Sequence, residues 1–296
     1  MRDEIRKIQR EMEAADYVTD APVATSVHLA TRLRKPLLIE GHAGVGKTEI
    51  AKVMARMLGT NLIRLQCYEG LDAAAMLYEW NYQKQILHIK LHETSGRATS
   101  EEEREIFSEP FLLRRPLLQA ITQSEQAPVL LVDEVDRADE EAESFMLEVF
   151  SDWQVTIPEI GTIKASHPPY VVLTSNRTRE LSDALRRRCL YLWIDYPSLE
   201  KETRIIARKV PGIDTRLSRE VAKFMETLRQ VRLAKVPGVA ETLDWAQALA
   251  ALHADHLDEP VVAETLGCLL KDHDDMKRFR AEVAKAGLGP FLSARS

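Results

Sequence analysis

Gly41-His42-Ala43-Gly44-Val45-Gly46-Lys47-Thr48 is the stretch of sequence that decides how the rest of the chain is interpreted. It fits the pattern G-x-x-x-x-G-K-[ST], whose glycines let the backbone curl so that its N–H groups point at a phosphate group. The apolar run Leu37–Ile39 precedes it, and an amphipathic segment from Thr48 to Leu58 follows it. Strand, glycine-rich loop and helix in this order predict a nucleotide-phosphate site, which we call the P-loop. The alternative is a glycine-rich turn with an exposed lysine.

Each position of the P-loop has a predicted role. Lys47 should reach the β and γ phosphates of ATP, and the Thr48 hydroxyl should ligate Mg²⁺. His42 stands where a proline or a small residue is more usual, and we expect its side chain to point away from the phosphates. The predicted nucleotide-binding residues are Gly41, Ala43, Gly44, Val45, Gly46, Lys47, Thr48 and Glu49.

Short apolar runs that alternate with helical segments predict the fold. Nearly continuous apolar strands are typical of a parallel sheet that helices cover on both faces. After Pro197 the sequence shows helical periodicity only, so we predict an α/β domain over residues 1–197 and an all-helical domain over residues 198–296. The predicted strands of the sheet are Leu37–Ile39, Leu62–Leu65, Val129–Val132, Tyr170–Leu173 and Leu190–Ile194.

Two segments interrupt this alternation. Gln154–Ile157 and Thr162–Ala165 flank the turn sequence Pro158-Glu159-Ile160-Gly161, which predicts an inserted β-hairpin. Tyr78–Leu91 alternates in part between polar and apolar residues, and it predicts a second inserted hairpin.

The apolar strand Val129–Val132 ends in two carboxylates, Asp133 and Glu134. Burying such a pair without a cation is costly. With a P-loop upstream, we expect Asp133 to hold Mg²⁺ and Glu134 to polarise the attacking water. The alternative is a strand that runs into a solvated acidic loop.

Two further polar features follow later strands. Asn176 ends the strand that begins at Tyr170, where its amide can lie beside the water and the γ-phosphate, or simply occupy a turn. The run Arg186-Arg187-Arg188 precedes the last strand. These arginines are a basic patch for nucleic acid, a solvated helix end, or the source of an arginine finger for a neighbouring subunit.

The order of these elements carries a family resemblance. Lys47, Asp133-Glu134, Asn176 and Arg188 occur in the order and approximate spacing of Walker A, Walker B, sensor 1 and arginine finger. The chain therefore resembles an AAA+ ATPase over about residues 20–290, and its two inserts resemble those of the MoxR family. Three local strings are similar to the CoxD type, the accessory ATPases found with molybdenum hydroxylases such as aerobic carbon monoxide dehydrogenase: residues 65–72, 77–82 and 173–181.

The resemblance implies a five-stranded AAA+ core, with a helix-2 insert and a pre-sensor-1 hairpin, and a C-terminal helical lid. It implies ATP hydrolysis in a hexameric ring with nucleotide between subunits, a partner with a von Willebrand A domain, and remodelling of a client metalloenzyme. Arg188 is the expected finger, with Arg187 as the alternative. Thr242 occupies the position where MoxR proteins carry the sensor 2 arginine, so another cation has that role or the lid senses nucleotide weakly.

Composition limits the alternatives. The 296 residues have a net charge of −6 and no long basic run, which argues against a nucleic-acid motor or loader on the same scaffold. A small-molecule P-loop kinase is the other alternative. No apolar run approaches the ~20 residues of a membrane span, the N-terminus is charged, and the three cysteines are far apart. We therefore expect a cytoplasmic protein with reduced thiols.

Overall fold

The structure is a computed structural model, and it describes residues 2–93 and 105–292. It divides into two compact units. The first contains the residues up to Ala21, the segment Gly41–Ile50 and the chain from Trp193 onward, and the second contains Pro22–Glu40 and Ala51–Leu192. The predicted domain boundary near Pro197 stays a prediction.

A five-stranded sheet in the order β2-β5-β8-β1-β9 organises the α/β part of the chain. β5 pairs in parallel with β2 and with β8, and β8 pairs in parallel with β1. This confirms the predicted α/β fold of the P-loop AAA+ type. The strands are β1 (Leu37–Gly41), β2 (Leu62–Gln66), β3 (Tyr78–Trp80), β4 (Leu112–Arg114), β5 (Val129–Asp133), β6 (Gln154–Ile157), β7 (Gly161–Lys164), β8 (Tyr170–Ser175) and β9 (Leu190–Ile194).

The α-helices begin and end close to the residues that their capping signals indicate. Asp139, for example, accepts a hydrogen bond from the backbone N–H of Ala142 at 2.8 Å, as expected of an N-cap. The helices are α1 (Arg2–Ala14), α2 (Ala21–Leu33), α3 (Lys47–Leu58), α4 (Ala73–Met76), α5 (Tyr82–Glu93), α6 (Pro116–Ile121), α7 (Glu140–Asp152), α8 (Asp183–Arg188), α9 (Leu199–Lys209), α10 (Thr215–Leu228), α11 (Val239–Ala251), α12 (Glu259–Thr265), α13 (His273–Ala286) and α14 (Gly289–Leu292).

The core of the second unit lies around β5. All five residues of this strand are buried, because strands on both sides satisfy its backbone and apolar side chains cover both of its faces. The strand therefore holds Asp133, its last residue, at a fixed place on the carboxyl edge of the sheet.

One predicted insert is confirmed and the other is wrong. β6 and β7 pair as the predicted antiparallel hairpin. Tyr78–Leu91, by contrast, consists of the short strand β3 followed by helix α5, and β3 pairs with β4 instead. The reason is a cap that the alternation concealed: the Asn81 side chain accepts a hydrogen bond from the backbone N–H of Lys84 at 3.0 Å and so begins a helix.

The first unit has its own core, in which aromatic rings meet. The ring of Phe224 lies 4.8 Å from that of Trp245 and 5.4 Å from that of Phe291, measured between centroids. The indole N–H of Trp245 donates to the Thr265 hydroxyl at 2.8 Å, so its polar atom is satisfied. Among residues 2–93 and 105–292, no helix combines the length and apolar character that crossing a membrane requires.

Substituting Leu131 by alanine should test the importance of β5. Leu131 is fully buried, so Leu131→Ala should lower the free energy of unfolding by about 2–5 kcal/mol through lost burial and a cavity. Leu87→Ala is the matched control, because Leu87 lies on α5 and is 59% exposed, and it should change stability by less than about 0.5 kcal/mol. Urea unfolding measures both, and equal effects would contradict the central place of β5.

Candidate functional site

The P-loop lies in the first unit and is shaped by two glycines. Gly44 has φ +72° and Gly46 has φ +92°, a conformation that residues with side chains rarely adopt. Within the described chain, the backbone N–H groups of Gly44, Val45 and Gly46 donate no hydrogen bond to another protein group. Adjacent N–H donors on a curled backbone form a concavity that fits an anion.

The charged end of the P-loop lies at the start of α3. The Lys47 ammonium is buried and donates to the carbonyls of Gly41 at 2.9 Å and His42 at 2.6 Å. Thr48 and Glu49 occupy the first turn of the same helix. Because the helix dipole favours negative charge at its N-terminus, the loop, the ammonium and the helix suit the phosphates of a nucleotide.

Tyr17 is a neighbour of the P-loop that the sequence pattern did not indicate. One ring carbon lies 4.0 Å from the point where a Cβ on Gly46 would stand. Burial, together with the charges of Asp20 and Glu49, raises the pKa of the Tyr17 phenol well above its usual range. The phenol is therefore a neutral group beside the loop at physiological pH.

Asp133 and Glu134 end β5 in the second unit. The Asp133 carboxylate is buried, accepts a hydrogen bond from the Thr174 hydroxyl at 2.5 Å and pairs with the Arg64 guanidinium at 2.5 Å. Its charge is thus compensated by protein groups, and its oxygens are the hard ligands that Mg²⁺ prefers. Thr174 also accepts from the backbone N–H of Glu134 at 3.0 Å, so one hydroxyl orders both acidic residues.

Glu134 has a left-handed backbone, with φ 55° and ψ 48°. For a residue with a side chain this conformation costs about 1–2 kcal/mol, so the surrounding hydrogen bonds must maintain it. Its carboxylate accepts from the Gln66 amide at 3.2 Å and from the Arg137 guanidinium at 2.9 Å. The side chain is one-third exposed, which leaves it open to solvent.

Asn176 follows β8, and a buried carboxylate fixes its position. Asp136 accepts hydrogen bonds from the backbone N–H groups of Asn176 at 3.2 Å and Thr178 at 2.8 Å, and from the Thr178 hydroxyl at 2.7 Å. Because β5 and β8 are adjacent and parallel, Asn176 and Asp133 lie at the same edge of the sheet. The structure thus brings together the predicted sensor 1 and Walker B residues.

The three arginines at the end of α8 differ in their contacts. Arg186 pairs with the buried Glu40 carboxylate at 3.1 Å, and Arg188 donates to the Leu147 carbonyl at 3.1 Å. Arg187 is exposed and has no polar partner among the residues that the structure describes.

Several residues of the second unit's site were missed by sequence reasoning. For Gln66 a signal exists, because it ends β2 and lies beside Asp133 in the parallel register. Arg64 lies two residues earlier on an exposed position of β2, and nothing in the sequence pairs it with Asp133. Thr174 and Asp136 resemble ordinary strand and loop residues until the sheet brings them together.

Comparisons with known proteins agree with this architecture. A family model described as "AAA domain (dynein-related subfamily)" matches residues 36–189. The gas vesicle ATPase GvpN of Haloferax mediterranei is 24% identical over 272 residues, covering 86% of this chain and 75% of that protein. The denitrification regulatory protein NirQ of Stutzerimonas stutzeri is 23% identical over 214 residues, covering 70% of this chain and 68% of that protein.

A likeness to RuvB is seen in sequence and in structure. The Holliday junction branch migration complex subunit RuvB of Thermotoga petrophila is 23% identical over 84% of this chain and 64% of that protein. The solved structure of a mutant RuvB from Thermotoga maritima aligns with a TM-score of 0.50 at 18% identity, over 97% of this chain and 78% of that one. At this identity the structural likeness shows the shared fold.

Asp136→Ala should loosen the Asn176 loop. Removing the carboxylate leaves the N–H groups of Asn176 and Thr178 without their acceptor, which should cost about 1–3 kcal/mol of stability. Urea unfolding and amide hydrogen exchange at residues 176–178 measure the change. Asp152→Ala, at an exposed helix end, is the control and should shift stability by less than about 0.5 kcal/mol. Unchanged exchange at residues 176–178 would contradict the anchoring role of Asp136.

Proposed function

This chain belongs to the family described as the AAA domain (dynein-related subfamily), and on that basis we propose that it is a ring-forming ATPase that remodels a partner protein. ATP hydrolysis follows from the family and from its ATPase relatives. The observation that supports the proposal best is the local structure of the curled P-loop, with its N–H groups, Lys47 and the start of α3.

The proposed roles follow the chemistry of each side chain. The N–H groups of Gly44, Val45 and Gly46 bind the phosphates together with Lys47. Asp133 and the Thr48 hydroxyl are the proposed ligands of Mg²⁺, which, when bound, neutralises charge on the β and γ phosphates. The remaining proposed nucleotide contacts are Gly41, Ala43 and Glu49.

Hydrolysis requires a base and a group that orients the water. We assign Glu134 to polarise the water, because its carboxylate is partly exposed and can exchange Gln66 or Arg137 for a water molecule. Asn176 is the proposed sensor of the γ-phosphate, held by Asp136 beside the Walker B edge.

Glu134→Gln should separate binding from chemistry. The amide has nearly the same shape but is no base, so the variant should bind ATP normally and lose hydrolysis by about 10²-fold or more. Lys47→Ala should instead weaken binding itself, since it removes the ammonium from the P-loop. Isothermal titration and phosphate release measure the two effects. Full turnover by Glu134→Gln would exclude its role as base.

The arginines of α8 are proposed to act across a subunit interface. Arg188 is our first choice of finger. Arg187 is the alternative, because its side chain has no polar partner among the described residues. A guanidinium supplied by a neighbouring subunit stabilises charge that develops on the γ-phosphate. The proposed assembly is a homo-oligomeric ring, with six subunits by resemblance.

Mixing subunits should test action in trans. Arg188→Ala alone should bind ATP but lose hydrolysis, because its neighbours lack the finger. In a mixture with Glu134→Gln, some interfaces combine an intact Glu134 with an intact Arg188, so activity should return. Arg187→Ala is the parallel experiment, and the residue whose variant shows this rescue is the finger. Absence of rescue for both, in rings shown to mix, would contradict a finger in α8.

The partner is proposed from resemblance and from one exposed surface. Helix α5 exposes four large apolar or aromatic side chains, Tyr82, Ile86, Leu87 and Leu91, and large exposed apolar patches mark interaction sites. We propose a von Willebrand A domain partner and a client metalloenzyme, as in the MoxR family and its CoxD type, in the cytoplasm. Co-purification with either protein would support this assignment.

A nucleic-acid motor is the second candidate, because RuvB relatives are branch migration subunits by name. Salt-sensitive, ATP-dependent binding of DNA would favour it, and its absence would favour a protein client. Transfer of phosphate to a metabolite instead of water would favour the kinase alternative.

A further inference from the structure

The turn that precedes α11 contacts the P-loop through backbone atoms. We call Pro237–Ala240 the lid turn; both segments belong to the first unit. The backbone N–H of Ala240 donates to the Gly44 carbonyl at 3.1 Å. Gly238 leaves no room for a side chain, since a Cβ there would stand 2.5 Å from the Ala43 carbonyl oxygen.

This contact uses the carbonyl side of the P-loop. In a planar trans peptide the C=O and the N–H of the same unit point in opposite directions. The Gly44 carbonyl faces the lid turn, so the N–H of Val45 points away from it. Because the donor comes from the first turn of a helix, the hydrogen bond also polarises the peptide and makes that N–H a stronger donor.

A buried arginine holds the lid turn in place. The Arg229 guanidinium donates to the Pro237 carbonyl at 3.0 Å and to both oxygens of Glu202 at 2.6 and 2.7 Å. It also donates to the Thr242 hydroxyl at 3.1 Å. The single hydroxyl proton of Thr242 has two acceptors within reach, Glu202 at 2.7 Å and the Gly238 carbonyl at 3.0 Å. With its five N–H donors fixed in a plane, arginine suits such a junction.

A second contact connects the same arginine to the P-loop. The Arg229 guanidinium lies 4.6 Å from the centre of the Tyr196 ring. The ring of Tyr196 is also stacked on that of His42, at 4.4 Å between centroids and only 8° from parallel. The unusual histidine of the P-loop thus contacts a ring that Arg229 also contacts, and its side chain serves packing.

We infer that Arg229 is a positioning residue that holds the lid turn and Tyr196 against the P-loop, and so couples nucleotide binding to the lid. The inference rests on the proposed nucleotide site. In a chain whose predicted sensor 2 position holds Thr242, the arginine is connected to the P-loop backbone through Pro237–Ala240 and to the His42 ring through Tyr196. By linkage, a contact that favours nucleotide binding is strengthened when nucleotide binds.

Gly238→Ala tests the backbone contact. The added methyl group should push the lid turn off the Ala43 carbonyl and weaken ADP binding about tenfold, an ordinary size for such coupling. Gly267→Ala is the matched control in the same unit, because nothing lies within 4 Å of its added Cβ, and its affinity should stay within about twofold of wild type. His42→Ala should weaken binding as well, whereas His42→Phe should retain the stack and the affinity. Isothermal titration with ADP measures all four.

Hydrogen exchange gives a readout that a merely structural arginine would not move. In the wild type, ADP should slow exchange at residues 238–242 about tenfold. The double variant Arg229→Met/Glu202→Leu removes a buried pair as a whole, which commonly preserves folding. A retained melting transition would show that the double variant still folds. We then expect ADP no longer to slow hydrogen exchange at residues 238–242 in this variant.

The outcomes distinguish a failure of the lid coupling from a failure of the nucleotide site itself. Affinity lost in Gly238→Ala and protection lost in the double variant support the positioning role. If the wild type binds ADP, Lys47→Ala does not, and Gly238→Ala binds as tightly as Gly267→Ala, the coupling is overturned while the nucleotide site stands. If the wild type binds no ADP at all, the proposed function fails and the coupling fails with it.

Discussion

The planarity of one peptide bond, Gly44–Val45, constrains how the P-loop packs against the lid turn in the first unit. A loop that turns N–H groups toward an anion must turn carbonyls the other way, and those carbonyls also need partners. In this chain the Gly44 carbonyl is satisfied by the N–H of Ala240, which itself lacks a partner within its helix. A carbonyl and an N–H that would otherwise lack partners thus satisfy each other. The segment Gly41–Ile50 belongs to the unit that also contains the C-terminal helices.

In the second unit the main constraint is the burial of acidic groups. Asp133 lies at the end of an entirely buried strand, yet Arg64 and Thr174 compensate its charge and its hydrogen-bonding capacity. Glu134, next in the chain, keeps a left-handed backbone and a partly exposed carboxylate. Asp133 is thereby fixed by its partners, whereas Glu134 is partly open to solvent.

The sheet was predictable because its signal is local. Runs such as Val129–Val132 are short, apolar and bounded by turn residues, which favours a strand inside a covered sheet, and the glycine pattern at Gly41–Thr48 favours a tight turn. The hairpin prediction for Tyr78–Leu91 failed for an equally local reason, because alternation over six residues outweighed a single capping residue, Asn81.

The contacts of Arg229 could not be predicted from spacing. Its partners, Glu202, Pro237 and Thr242, lie as far as 27 residues away along the chain, and only Thr242 lies at a position that a family pattern indicates. The same holds for Arg64 and Asp133, which lie 69 residues apart. Motifs predict which residues perform chemistry, whereas the residues that position them are chosen by packing, which a single sequence does not display.

Gly238 has a consequence for how this protein tolerates mutation. Any amino-acid replacement of a glycine adds a Cβ. At position 238 even the methyl group of alanine would meet the Ala43 carbonyl oxygen, a backbone atom that cannot move aside easily. Position 238 therefore lies far outside the glycine-rich motif, yet any amino-acid replacement there should disturb the contact with the P-loop.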